Sequence, residues 1–129
     1  MVTPVFLSLA EVLEIHHDQI ERYGGHAGLR DLGLLQSALA MPAAGFGGRY
    51  LHSDLLEMAA AYLFHIVQNH PFIDGNKRTG TVAAIVFLAL NGIELQADET
   101  QLEQLVIDVA KGKAGKSSVA DFLRKNSLT

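Results

Sequence analysis

The chain reads as an all-α fold of about six helices around a buried central helix, and three observations predict it. Apolar residues recur at three- and four-residue steps along most of the length. Helix-starting and helix-stopping residues fall between those periodic stretches. Alternating, strand-like runs are nearly absent, with Ile93-Glu94-Leu95 the one weak candidate. A length of 129 residues argues for a single domain spanning 1–129. With 49 % hydrophobic and 19 % charged residues, the disordered class is excluded.

Each element follows from local signals. Ser8 and Glu11 form a capping box, and Leu9, Val12, Leu13, His16, Ile20 and Tyr23 then share one face, which predicts a first helix over 8–23 ended by Gly24-Gly25. Asp31 caps a short second helix carrying Leu34, Leu35, Ala38 and Leu39, stopped by Pro42. Residues 43–52, AAGFGGRYLH, fit no period and read as a flexible, exposed loop. Asp54 opens a third helix whose broad apolar face, Leu55 to Val67, predicts a central position. It must end before His70-Pro71. The stretch Lys77 to Leu90 is apolar nearly all round after its first turn, which predicts burial, and Asn91-Gly92 stops it. Glu99 to Lys111 forms the next helix, ended by Gly112, and Ser117 or Ser118 caps a last one with Val119, Phe122 and Leu123 inward.

Composition narrows the function classes. The absence of cysteine excludes disulfide frameworks, thiolate zinc sites and thiol chemistry. The opening stretch has no basic n-region, so no secretory signal is expected, and Val82 to Leu90 is too short to span a bilayer. A net charge of −4 argues against a sequence-independent nucleic-acid binder. The expected setting is a reducing cytoplasm, with no membrane and no direct nucleic-acid partner.

The chemistry concentrates in His70-Pro71-Phe72-Ile73-Asp74-Gly75-Asn76-Lys77-Arg78-Thr79-Gly80. A helix N-terminus exposes unpaired N–H groups and attracts anions, phosphate above all. Here a loop containing Gly75 feeds such a terminus. Lys77 and Arg78 place two cations in its first turn, where they oppose the dipole unless an anion sits between them. Asp74 beside them suits Mg²⁺, which takes one or two carboxylates plus phosphate oxygens and water. His70, whose imidazole can accept a proton, suits proton removal from a hydroxyl. Asn76 is a candidate helix cap. Phe72 is expected to point inward. A base, a metal carboxylate, an anion nest and two cations are the parts that nucleotide transfer needs. Read singly, each residue has an ordinary structural explanation; the favoured reading rests on their juxtaposition. The segment superficially resembles a P-loop, but the Walker spacing and a preceding strand are both lacking.

The same residues resemble the signature of the Fic/Doc family: His, one residue, Phe, one residue, Asp or Asn, Ala or Gly, Asn, Gly or Lys, Arg. His70, Phe72, Asp74, Gly75, Asn76, Lys77 and Arg78 match as they stand. Gly24-Gly25, Gly28-Leu29-Arg30-Asp31, Phe87-Leu88, Asn91-Gly92 and Ser117-Ser118-Val119-Ala120 extend the likeness over nearly the whole chain. Lys77 in place of the usual Fic glycine, and Thr81 in place of a second arginine, point to the Doc (death-on-curing) branch.

That resemblance implies a toxin of a toxin–antitoxin system, associated with prophage maintenance. It would transfer the terminal phosphate of ATP, with Mg²⁺, to a hydroxyl of elongation factor Tu and so block translation. It implies His70 as the base, Asp74 as a second catalytic group that arranges Mg²⁺ or phosphate, and Gly75, Asn76, Lys77 and Arg78 as the phosphate-binding set. It also implies a Phd-type antitoxin as partner, and places a target-docking flap at Ala43 to Leu51. Fic-type AMP transfer and a non-catalytic antitoxin-binding module are the alternatives.

The remaining histidines carry less. His16 and His17 point about 100° apart on a helix and cannot share an ion. His65 has the wrong spacing for a metal pair with His70. His26 and His52 are expected to be solvated in loops. Tyr62 and Phe64 are expected in the core.

Overall fold

In the computed structural model, which describes residues 3–128, the helices begin where their capping residues stand. Ser8 Oγ accepts from the Glu11 N–H at 3.1 Å and Glu11 Oε1 accepts from the Ser8 N–H at 2.8 Å, so the capping box opens α1 (Leu9–Tyr23). Asp31, Asp54 and Asp98 each accept from an N–H three residues on. They open α2 (Leu32–Ala40), α3 (Leu55–Asn69) and α5 (Glu99–Ala110). The other two helices, α4 (Asn76–Leu90) and α6 (Lys116–Lys125), start at Gly75 and Gly115 with no side-chain cap. The expected caps Ser117 and Ser118 therefore lie inside the first turn of α6. The reason is upstream: Lys113 and Ala114 donate back to the Asp108 carbonyl, and Gly115 is then extended, which lets the helix start two residues early.

The 43–52 segment is exposed as expected but ordered as a hairpin. β1 (Gly45–Phe46) pairs antiparallel with β2 (Arg49–Tyr50). Gly47 and Gly48 connect them with φ of 60° and 81°, the positive pair that a two-residue hairpin turn demands. Phe46 at its tip is 94 % exposed. The weak strand candidate forms as β3 (Glu94–Leu95), closed by the C-terminal β4 (Ser127–Leu128).

The central helix is α3. Met58 to Leu63, Ile66 and Val67 are all buried, and α2, α4, α5 and α6 pack around it. Each large side chain so enclosed stabilises by about 1.5–3 kcal/mol. Tyr62 lies fully buried here, as expected, and its hydroxyl accepts from the Leu7 N–H at 2.8 Å. Burial pushes that phenol up to about 12. Although α4 is apolar nearly all round after its first turn, it buries only one side: Ala83, Ala84, Phe87 and Leu88 face the core while Ile85 and Leu90 stay exposed. No helix among the described residues is long and apolar enough to cross a membrane.

His52 corrects an expectation. It is 5 % exposed, because the chain after the hairpin turns inward, and its Nε2 accepts from Lys116 Nζ at 3.0 Å. Lys116 also reaches His65 Nε2 at 2.9 Å. Burial and then the Lys116 charge push both imidazoles down, that of His65 to about 4 from an ordinary 6.5. A folded-state value below the unfolded one means the unfolded chain takes up protons first as pH falls. Stability present above pH 6.5 is therefore lost toward pH 4, by roughly 1–3 kcal/mol. We expect the melting temperature to drop across that window, and His65→Leu to flatten the drop. A wild-type profile flat from pH 7 to 4.5 contradicts this.

Candidate active site

The motif becomes one continuous turn between the central helix and its main packing partner. α3 ends at Asn69, and His70 caps it in the left-handed conformation, φ 51° and ψ 54°, the only non-glycine residue with positive φ among those described. A non-glycine residue held there carries about 1–3 kcal/mol of strain, and such positions cluster at functional sites. The His70 imidazole is exposed to solvent.

Phe72 turns inward and is 1 % exposed. Its ring stacks on the His16 imidazole, with centroids 3.8 Å apart and planes 6° from parallel. His16 Nε2–H in turn donates to the Asp74 carbonyl at 2.8 Å. Asn76 holds the same loop from the other side: its Oδ1 accepts from the Phe72 N–H and its Nδ2 donates to the Phe72 carbonyl, both at 2.9 Å. It is the first residue of α4 rather than its cap. Its buried amide is occupied by the loop, so its side chain shapes the turn and leaves phosphate contact to neighbouring N–H groups. The cap is Gly75, at φ 79°, a conformation glycine adopts readily, and no side chain caps the first N–H groups of α4.

Asp74 accepts from the His26 N–H at 3.2 Å through Oδ2 and from the Gly75 N–H at 2.9 Å through Oδ1. These two hydrogen bonds, and then the Arg78 charge, hold its carboxyl below the ordinary range, so it is ionised. Each oxygen keeps a free lone pair. No group of three His, Asp or Glu residues able to hold a metal exists among the described residues. A single ionised carboxylate fits Mg²⁺ when phosphate and water supply the remaining ligands, and does not fit a site built from protein groups alone.

The two cations have different situations. Lys77 is exposed, and its ammonium has no hydrogen bond or ion pair among the described residues. Arg78 reaches across to the C-terminal end of α1, donating to the Gln19 carbonyl at 3.3 Å and the Gly24 carbonyl at 3.0 Å beside the Tyr23 ring. The sequence treats the pair alike, as charges opposing the α4 dipole. The structure separates them, because Arg78 also donates to carbonyls at the negative end of α1. Lys77→Met is expected to leave the melting temperature unchanged or slightly higher, whereas Arg78→Met is expected to lose on the order of 1–2 kcal/mol. Equal losses in a thermal melt would contradict the distinction. Thr81 donates its hydroxyl to the Lys77 carbonyl at 2.8 Å and offers nothing to the site. Lys77 and Arg78 also line a mainly apolar groove of about 570 Å³ along α4, between α1 and α5, floored by Val82, Ile85, Leu102 and Val106.

Two positions were missed from sequence. His16 looked like an ordinary member of an apolar face; a polar ring on that face was the one available signal. Arg30 lies forty residues before His70, and nothing local shows that its guanidinium meets the end of α3. The segment Gly28–Asp31 lies along the motif: Ile73 donates to the Gly28 carbonyl at 3.1 Å, and Arg30 and Asp31 donate to the Pro71 carbonyl at 2.7 and 3.0 Å.

Residues 6–88, from the entry into α1 through most of α4, match the model of the Fic/DOC family. The chain belongs to the Fic/Doc family. Two relatives place this Fic/Doc protein on the Doc branch. It is 35 % identical over 119 residues to "Protein kinase doc" of Escherichia phage P1, covering 92 % of this chain and 93 % of that one. It is 40 % identical over 100 residues to "Toxin Doc" of Mycolicibacterium smegmatis (strain ATCC 700084 / mc(2)155), covering 76 % and 77 %. The match takes in the whole folded turn described above.

Proposed function

We propose that this Fic/Doc protein is the toxin of a toxin–antitoxin system and transfers the terminal phosphate of ATP to a hydroxyl of a protein, with elongation factor Tu as the expected target. The observation that carries the proposal is the motif turn itself. An exposed imidazole, an ionised carboxylate and a helix N-terminus capped by a positive-φ glycine follow one another along a single turn, with an unpaired lysine at the start of α4. The names of the two relatives, a protein kinase and a toxin, point the same way.

In this reading the free N–H groups after Gly75 and the Lys77 ammonium receive phosphate oxygens, with Arg78 at the edge of the same charge field. Asp74 is the residue that would hold Mg²⁺, which neutralises phosphate charge when bound. His70 takes the proton of the target hydroxyl as its oxygen bonds to the terminal phosphorus. The bond to the ADP oxygen breaks and ADP leaves. The partner is an antitoxin of Phd type. The groove along α4 is apolar along its floor, basic at Lys77 and Arg78 and acidic at Glu99 and Glu103, which suits an amphipathic helix with charges of both signs along its edges.

The test is incubation of the purified protein with elongation factor Tu, Mg²⁺ and ATP, followed by intact-mass measurement of the target. A gain of one phosphate supports the proposal. A gain of a whole AMP makes the protein a Fic-type transferase. An unmodified target, with toxicity retained in growing cells, replaces it with a binding module.

A further inference from the structure

His70 has no side-chain partner that fixes it, yet its backbone sits in a strained, left-handed conformation. Something must hold that conformation, since its own covalent geometry does not favour it. The side-chain hydrogen bonds to its carbonyl and to that of Asn69 come from one residue. Arg30 Nε donates to the His70 carbonyl at 2.7 Å, and its terminal Nη2 donates to the Asn69 carbonyl at 3.0 Å. The Arg30 backbone N–H donates to the Pro71 carbonyl at 2.7 Å. Three successive carbonyls, those of residues 69, 70 and 71, are thus gripped by Arg30. Two of them are orphan carbonyls at the negative end of α3, where a guanidinium fork suits both charge and geometry. Asn69 is held as well, its Nδ2 donating to the Leu34 carbonyl at 2.9 Å.

We infer that Arg30 is the positioning residue for His70: it fixes the turn that aims the imidazole, without itself touching substrate. The inference rests on His70 being the base of the proposed transfer. Arg30 itself is exposed, on a loop ahead of α2, and fills no part of the core. Its removal therefore alters the aim of His70 more than it alters the fold. A lysine in its place offers a point charge without the fork and holds one carbonyl at a time.

The experiment compares Arg30→Ala, Arg30→Lys and His70→Asn on the full chain. Nuclear magnetic resonance first reads the His70 backbone: in Arg30→Ala its Cα and Cβ shifts are expected to leave the left-handed range, whatever the protein transfers. Kinetics with ATP and the target follow. Arg30→Ala is expected to lower kcat about 10- to 100-fold, the scale of an ångström of misplacement, with KM for ATP changed less than about twofold. Arg30→Lys falls between it and the wild type. Millimolar ethylguanidinium is expected to restore part of the activity of Arg30→Ala and none of that of His70→Asn.

Unchanged His70 shifts in Arg30→Ala overturn the inference, as does an unchanged kcat. A loss shared by kcat, KM and melting temperature, with no rescue, makes Arg30 merely structural. If His70→Asn keeps full activity, the reading of His70 as base fails and takes this one with it. If His70→Asn is inactive while Arg30→Ala is not, only the Arg30 inference fails.

Discussion

Replacing His70 with alanine is expected to lower transfer by about 10²–10⁴-fold, the range for loss of a positioned general base. The size follows from the site. Three other imidazoles are engaged elsewhere: His16 is buried and bonded to the Asp74 carbonyl, and His52 and His65 are bonded to Lys116. Alanine alone is an imperfect probe, because His70 sits at positive φ, where alanine is disfavoured. Asparagine enters that region more readily than other non-glycine residues. His70→Asn is therefore expected to match the wild type in melting temperature and to match His70→Ala in lost activity. The measurement is single-turnover transfer of labelled terminal phosphate beside a thermal melt. Activity within about threefold of wild type in either variant would remove His70 from the chemistry.

Phe72→Ala is expected to cost about 3–5 kcal/mol, as for other fully buried phenylalanines. Phe72 joins the motif turn to the hydrophobic core, and its ring carries the His16 stack. Emptying that space leaves His16 without a face to pack on and loosens the loop that Asn76 bridges. Phe72→Leu keeps most of the volume and is expected to lose only about 1–2 kcal/mol. Urea midpoints at constant slope measure both. A loss under about 1 kcal/mol for Phe72→Ala would mean that His16 and Asn76 hold the turn without it. These two variants separate the roles mixed in the motif: His70 is exposed, strained and the proposed base, whereas Phe72 is buried and mechanical.

The fold was legible because its signals are local. Ser8, Asp31, Asp54 and the three-four spacing of apolar residues act within a single turn of chain, and each produced the helix expected of it. The failures came where a distant contact decided. Gly115 rather than a serine starts α6 because Asp108 receives the preceding N–H groups. His52 is buried because Lys116, at the start of α6, comes to meet it. The 43–52 segment carried its own hairpin signal in Gly47-Gly48, but it lacked the flanking alternation that usually makes such a pair readable.

The sequence by itself determined the helix order and the chemical inventory of the motif, and its residue pattern was enough to place the chain in its family. It could do so because capping, periodicity and a contiguous signature all depend on residues a few positions apart. Only the tertiary structure decided what each motif residue does. It turned Asn76 into a brace, tied Arg78 to α1, left Lys77 free, and set Arg30 against the end of α3. Those roles depend on which carbonyls and N–H groups a side chain meets across the packed interface of α1, α3 and α4, and no short-range pattern carries that information.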